Sequence, residues 1–376
     1  MRAIVLSGGG SKGAYQIGVW KALKKLNIKY DIVTGTSVGA LNAALMTQKT
    51  YLKAVKLWKN IEFNKVIDED IDKDNIIKSY TENIIHGGLN TTNLEQTIEE
   101  ALDLNKFYNS KIDMGLITVN LNKLKPIMLT KSQIEPSKLK DYLVASASCF
   151  PAFKIKDIEN NKYIDGGYFD NLPINLALEM GADEIIAVDL KEIGLKRKIE
   201  KKDLKITTIS PRNDIGSFLI FEKDISRRAI KYGYNDTLKI FKKLDGDKYT
   251  FKKNNLIDNY EKYSYNYDRL VKKNISFKEF NNIIEVLGSI LKLDDTLIYN
   301  IAKYNKILID KFKNLQEDKN IVNLLNKNKL KKLFLNEYMI KYIYECMDKK
   351  QLKELKLIFK KEFYCAAYLK IIMEDE

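Results

Sequence analysis

Ala3-Ile4-Val5-Leu6-Ser7-Gly8-Gly9-Gly10-Ser11-Lys12-Gly13-Ala14 runs from a short apolar stretch through a glycine-rich turn into a periodic segment. About two dozen residues later Tyr30-Asp31-Ile32-Val33 leads into Gly35-Thr36-Ser37-Val38-Gly39. Short apolar runs closed by glycine turns and followed by helical periodicity are what buried parallel strands and their covering helices look like in a sequence. The first helix is expected over about 14–26, with Ile17, Trp20, Leu23 and Leu26 on one face, and a second over 40–48. Strands are expected at 3–6, 30–33, 114–120, 126–129, 184–190 and 205–209, with helices at about 94–102 and 172–180. This alternation predicts an α/β fold built on a largely parallel sheet covered on both faces.

Ser37 stands between two glycines at the expected strand-to-helix turn. A tight turn there lifts the hydroxyl out of the backbone toward the C-terminal edge of the sheet, with the positive end of the next helix behind it. The Gly8–Gly13 segment matches Gly-x-Gly-x-x-Gly, so a dinucleotide site competes with an anion cradle. A dinucleotide site wants an acidic residue closing the second strand. Here Asp31 opens that strand and Gly35-Thr36-Ser37 closes it. A phosphate-binding Walker loop fits less well, because Ala14-Tyr15 follow Gly13. The remaining reading is an oxyanion cradle, in which the amides of Gly9 and Gly10 face developing negative charge and Lys12 adds a cation or is a solvated lysine.

Asp165-Gly166-Gly167 follows the strand-like Lys162-Tyr163-Ile164. A carboxylate at a strand end can serve as base for Ser37, and an Asp-Gly pair also marks an ordinary turn. The residues alone leave both readings open. His86, the single histidine, lies in Ile85-His86-Gly87-Gly88-Leu89 and is expected to be a loop residue without catalytic duty; a Ser-His-Asp triad has little else to draw on.

The chain has 376 residues, 45% hydrophobic and 30% charged, which fits a folded protein with a sizeable core. No stretch approaches ~20 consecutive apolar residues, and the N-terminus runs straight into the glycine turn without an apolar leader. Cytoplasmic residence is therefore expected, either free or peripheral at a membrane, with export lacking a cleaved signal left open. Cys149, Cys346 and Cys365 are too few and too widely spaced for a disulfide framework or a zinc site. Residues 1–190 hold 23 Lys+Arg and 23 Asp+Glu, so residues 191–376, with 41 basic and 27 acidic side chains, carry the whole net charge of +14. Such a half can lie against an anionic membrane or attract nucleic acid non-specifically; no specific nucleic-acid site is expected, and solvated helix faces are the plainer account. After about Lys243 proline and strand patterns disappear. Helical spacing covers 280–291, 295–315, 330–347 and 352–373, so residues 244–376 are expected to form a helical C-terminal domain.

Three spaced motifs together resemble the bacterial patatin-like phospholipases. Val5 to Val19 is similar to that family's glycine-rich signature, Gly35-Thr36-Ser37-Val38-Gly39-Ala40 to its nucleophile elbow, and Asp165-Gly166-Gly167 to its dyad aspartate. Ala145 to Phe153 and Gly233-Tyr234-Asn235-Asp236 also fit, so the resemblance covers residues 1–243. It implies a three-layer α/β/α catalytic domain with a Ser37–Asp165 dyad and an oxyanion hole drawn from Gly8, Gly9, Gly10, Lys12 and Gly13. Gly35, Gly39, Gly166 and Gly167 would support the two turns. It further implies hydrolysis of glycerophospholipids or other acyl-ester lipids through an acyl-enzyme, without metal, cofactor or histidine. Gly167 stands where many relatives have alanine. An acyltransferase or thioesterase with the same dyad, or a non-catalytic lipid-binding module, are the alternatives.

Overall fold

Arg2–Leu6 forms β1, buried along almost its whole length as a strand covered on both faces must be. In the computed structural model, which describes residues 1–68, 87–201, 203–317, 336–347 and 356–376, β1 lies at the centre of an eight-stranded sheet. The other strands are β2 (Ile32–Thr36), β3 (Asp113–Asn120), β4 (Lys125–Thr130), β5 (Lys156–Ile158), β6 (Asn161–Asp165), β7 (Glu184–Val188) and β8 (Lys205–Ile209). Their order is β5-β6-β3-β2-β1-β7-β8, with β4 also on β3. β3, β2, β1, β7 and β8 run parallel, and the antiparallel strands β4, β5 and β6 gather at one side.

One edge of β3 is shared. β4 occupies the opposite edge over Gly115–Asn120, so β2, paired with Asp113–Ile117, and β6, paired with Thr118–Asn120, divide the same edge between them. β2 arrives there in Thr36, opposite Ile117, and β6 arrives from the other direction in Asp165, opposite Thr118. The two strands meet head to head, which brings Ser37 beside Asp165 although 128 positions separate them in the chain.

The covering helices are α1 (Gly13–Lys25), α2 (Val38–Thr47), α3 (Tyr51–Lys59), α4 (Thr92–Ala101), α5 (Leu104–Tyr108), α6 (Leu139–Ala147), α7 (Ile174–Glu179) and α8 (Lys223–Ile240). Ile174 and Ala177 of α7 pack on Ala3, Val5, Ile32, Ile185 and Ala187, while α2 packs on β1, β2 and β3 with α1 against it. α1 crosses α8 at two glycines. A Cβ on Gly18 would stand 2.0 Å from the Ile230 carbonyl oxygen, and one on Gly233 would stand 2.0 Å from that of Tyr15. Asp236, one turn further along α8, is buried against Lys239 at 2.9 Å and accepts the Tyr15 hydroxyl at 3.0 Å.

Residues Met1–Ile240 form one compact unit and Phe241–Glu376 another. The second is mostly helical: α9 (Asn255–Val271), α10 (Phe277–Ile290), α11 (Ile301–Glu317), α12 (Asn336–Cys346) and α13 (Lys360–Glu374). Its core is aromatic, with Phe280 edge-on to Tyr267 at 5.4 Å and to Tyr368 at 5.5 Å. Contrary to the sequence reading, it contains strands: β9 (Leu244–Asp245), β10 (Thr250–Lys252) and β11 (Ile298–Tyr299) form a small sheet. Elements of two or three residues are too short to leave a period-two signal. Among the described residues no helix is long and apolar enough to cross a membrane.

Candidate active site

Ser37 is the residue at which β2 turns into α2. Its backbone sits at φ 57° and ψ −132°, a conformation that side-chain-bearing residues rarely adopt and that persists only when the surroundings fix it. Three close contacts fix it here. A Cβ on Gly35 would stand 2.3 Å from the Gly39 carbonyl carbon and oxygen, and a Cβ on Gly39 would stand 2.3 Å from the Leu6 carbonyl oxygen. Both positions must be glycine for strand and helix to close this tightly. Ser146 on α6 supplies the third contact: its fully buried hydroxyl accepts the Ser37 amide at 3.0 Å and donates to the Ile117 carbonyl at 2.7 Å. Ser146 thus ties the elbow to β3.

Asp165 is buried, its carboxylate accepts the Gly167 amide at 2.7 Å, and Ser37 lies near enough to act on its charge. Its backbone amide donates to the Ser148 carbonyl at 2.9 Å, so α6 anchors both members of the pair. Burial pushes the Asp165 carboxyl up to about 6, and the Gly167 amide and Ser37 hold it from rising further. A base in that range is ionised at neutral pH yet basic enough to take a proton. Gly166 packs with its α-carbon against the Ile117 carbonyl and Thr36 at the meeting point of the two strands. Cys149, the nearby thiol, is pushed up to about 11, first by burial and then by the Asp165 charge, so it is held protonated and is no competing nucleophile.

The glycine loop divides the five expected oxyanion residues into two groups. Gly8 donates its amide to the Asn171 carbonyl at 3.1 Å and to the Asn171 side-chain oxygen at 3.2 Å. Lys12 donates its amide to the Gly9 carbonyl at 3.1 Å, and its ammonium pairs with Glu192 at 2.5 Å, both side chains largely buried. Gly13 donates its amide back to Gly10 and Ser11. The amides of Gly9 and Gly10 alone in this set have no hydrogen-bond partner among the described residues. Gly8 lies close to the elbow, since a Cβ on it would stand 3.0 Å from the Ser37 Cβ. Beneath the loop a buried polar chain holds it to α2. Trp58 donates to Asn42 at 2.9 Å, Asn42 donates to the Gly13 carbonyl at 3.0 Å and to Gln16 at 2.8 Å, and Gln16 donates to the Ser7 carbonyl at 2.8 Å. Asp31, weighed as a ribose ligand, sits at the opposite end of β2 and accepts the Arg2 amide at 2.9 Å. His86 lies outside the described residues.

Ser37 and Gly10 are among the residues that line a cleft enclosing about 750 Å³, part of it open to solvent. Its other walls are apolar: Leu41 and Leu45 of α2, Trp58 of α3, Ile98 of α4, Leu143 of α6 and Phe221. A hydroxyl beside a raised carboxylate, two amides without a partner among the described residues and an apolar cleft can together carry acyl transfer from a long-chain ester. Sequence reasoning missed the walls of α3 and α6, the Ser146 tether and Asn171.

Residues 4–178 match the family model of the patatin-like phospholipases. Patatin-like phospholipase domain-containing protein 6 of Mus musculus is 28% identical over 197 residues, which is 50% of this chain and 13% of that protein. Lysophospholipase nte1 of Aspergillus terreus is 31% identical over 198 residues, 50% of this chain and 12% of that protein. The match therefore spans about an eighth of each relative's length. Among solved structures, VipD from Legionella pneumophila aligns over 99% of this chain and 90% of its own, with 14% identity and a TM-score of 0.43. The type III effector ExoU aligns over 97% and 76%, with 14% identity and a TM-score of 0.33.

Proposed function

We propose that the chain is a lipid acyl hydrolase of the phospholipase A or lysophospholipase type, working through a Ser37–Asp165 dyad. The observation that carries the reading is the meeting of β2 and β6 on one edge of β3, which brings the elbow serine beside a buried carboxyl raised to about 6, with the serine lining an apolar cleft.

Asp165 takes the Ser37 proton as the serine oxygen attacks the ester carbonyl carbon. The carbonyl oxygen becomes an oxyanion, and the amides of Gly9 and Gly10 receive it; one such donor is typically worth ~2.7–4 kcal/mol in the transition state. Lys12 acts on it only through its field, because Glu192 holds its ammonium. Collapse breaks the bond to the lysolipid or glycerol oxygen, which leaves with the proton from Asp165. Water, deprotonated by Asp165, then attacks the acyl-enzyme; the tetrahedral intermediate returns the serine oxygen, which recovers the proton, and the fatty acid departs. The apolar cleft supports a lipid substrate, since moving an acyl chain out of a bilayer forgoes ~0.8 kcal/mol per methylene unless protein replaces lipid.

The test is Ser37→Ala and Asp165→Asn in the full chain, each checked by circular dichroism and assayed for fatty-acid release from phospholipids by mass spectrometry. Loss of release in both, with loss of fluorophosphonate labelling in Ser37→Ala, is expected. Full activity in either variant overturns the dyad. Transfer of the acyl group to added glycerol or lysolipid in place of water would make the enzyme an acyltransferase.

A further inference from the structure

Four large apolar side chains stand in water around the turn that carries Asp165. Ile193 is 94% exposed, Leu195 62%, Tyr168 44% and Phe150 37%. Backbone bonds draw their three segments together. Leu195 donates its amide to the Gly167 carbonyl at 3.0 Å and accepts the Asn171 amide at 2.6 Å, and the Tyr168 hydroxyl donates to the Phe150 carbonyl. Singly scattered apolar residues are ordinary on a protein surface, whereas a contiguous group marks a contact site. Half-buried Phe218 and Ile220 extend this rim toward the glycine loop, where the Phe218 carbonyl accepts the Ser11 amide at 2.8 Å.

The charges beside the rim have one sign to spare. Lys191 and Lys198 bracket Ile193 and Leu195, and Lys154 follows Phe150; the ammonium of none of the three pairs with a carboxylate among the described residues, and that of Lys191 donates to the Pro211 carbonyl at 3.2 Å.

We propose that this rim is an interfacial docking surface for an anionic phospholipid bilayer, with Ile193 and Leu195 entering the acyl boundary and the flanking lysines meeting head-group phosphates. The proposal rests on the lipid-hydrolase reading and specifies how its substrate arrives. Apolar side chains flanked by lysines whose ammonium groups pair with no carboxylate among the described residues fit a lipid surface better than a protein partner, because the centre of a protein interface is depleted in lysine. The rim also adjoins the apolar cleft through Phe153, three residues from Phe150, and through Phe221, next to Ile220. An acyl chain leaving the bilayer here stays out of water, which is worth roughly fourfold in partitioning for each methylene kept covered.

The experiment uses the full chain carrying Ser37→Ala, so that binding is read without turnover. Co-sedimentation with phosphatidylcholine vesicles, with and without phosphatidylserine, is compared between that protein and the same protein bearing Ile193→Ser and Leu195→Ser. A loss of at least tenfold in partitioning is expected, and Lys191→Gln with Lys198→Gln should weaken binding only where phosphatidylserine is present. In the Ser37 background, Ile193→Ser and Leu195→Ser should lower fatty-acid release from vesicles in step, leaving hydrolysis of a monodisperse short-chain ester and fluorophosphonate labelling unchanged. Vesicle binding equal to that of the unsubstituted rim overturns the proposal. So does concentration-dependent self-association abolished by the two serines, which would assign the rim to a second copy of the chain. Absence of ester hydrolysis and labelling in the unsubstituted protein would instead sink the hydrolase reading, and the binding data would stand apart from it.

Discussion

Replacing Ser146 by alanine tests whether α6 holds the nucleophile in place. The Ser146 hydroxyl has two partners, the Ser37 amide at 3.0 Å and the Ile117 carbonyl at 2.7 Å, and the residue is fully buried. Alanine leaves a donor and an acceptor without partners away from water. Each such group costs about 1–3 kcal/mol, so a loss of roughly 2–6 kcal/mol in stability is expected. The donor belongs to a residue at φ 57°, and a freed elbow relaxes toward an ordinary backbone conformation. A displacement of about 1 Å at a reacting atom can cost on the order of a hundredfold in rate. Urea unfolding can be followed by tryptophan fluorescence, because both tryptophans, Trp20 and Trp58, lie in the Met1–Ile240 unit. The second readout is the rate of fluorophosphonate labelling at a urea-free concentration where the variant is fully folded. The expected result is the stated destabilisation together with labelling slowed at least tenfold. An unfolding transition within about 0.5 kcal/mol of the parent and an unchanged labelling rate would refute the tether.

Turnover of a monodisperse ester should rise with pH through about 6 and level off above, because a protonated Asp165 cannot accept the Ser37 proton. The same raised carboxyl makes Asp165 a liability as pH rises: its contribution to stability is greatest below the unfolded pKa near 4 and is lost by the time pH passes the folded value, on the order of 3 kcal/mol. Asp165→Asn should flatten that part of the stability profile between about pH 4 and 6, measured by unfolding at each pH, while abolishing turnover. Asn171→Ala removes the side-chain acceptor of the Gly8 amide; kcat should fall at least tenfold with KM nearly unchanged, since the loop serves the transition state. Ala101→Phe narrows the cleft; hydrolysis of long-chain esters should fall at least tenfold relative to short-chain ones, with a stability cost of about 1–3 kcal/mol.

The parts of the site that depend on local backbone were legible in the sequence. Gly35, Ser37 and Gly39 announce a tight turn wherever they are placed, and the apolar run before them ends at it. β8 lies over Lys205–Ile209 as its pattern predicts, and the first helix begins and ends within one residue of expectation. What escaped the sequence was set by partners far along the chain. Ser146 is one serine in a mixed segment until α6 places it under Ser37, and Asn171 matters only because Gly8 arrives beside it. Lys12 resembles a free cation in a motif and is neutralised by Glu192, 180 residues away. The walls on α3 and α6 went unread because those helices owe their position to tertiary packing around the cleft. The small sheet of Phe241–Glu376 rests on strands too brief to show a pattern.

The shared edge of β3 has a bearing on how such a chain can change over evolutionary time. Between Asn120 and Asn161 the polypeptide makes a long excursion through β4, α6 and β5 before β6 returns Asp165 to its place opposite Thr118. Only the last three rungs of that return fix where the carboxylate lands. Insertions and deletions within the excursion can therefore reshape the mouth of the cleft, and with it the choice of acyl donor, without resetting the reactive pair. The same latitude does not extend to β3 itself: one residue gained or lost between Ile117 and Thr118 would part the two strand ends and turn every following side chain to the opposite face.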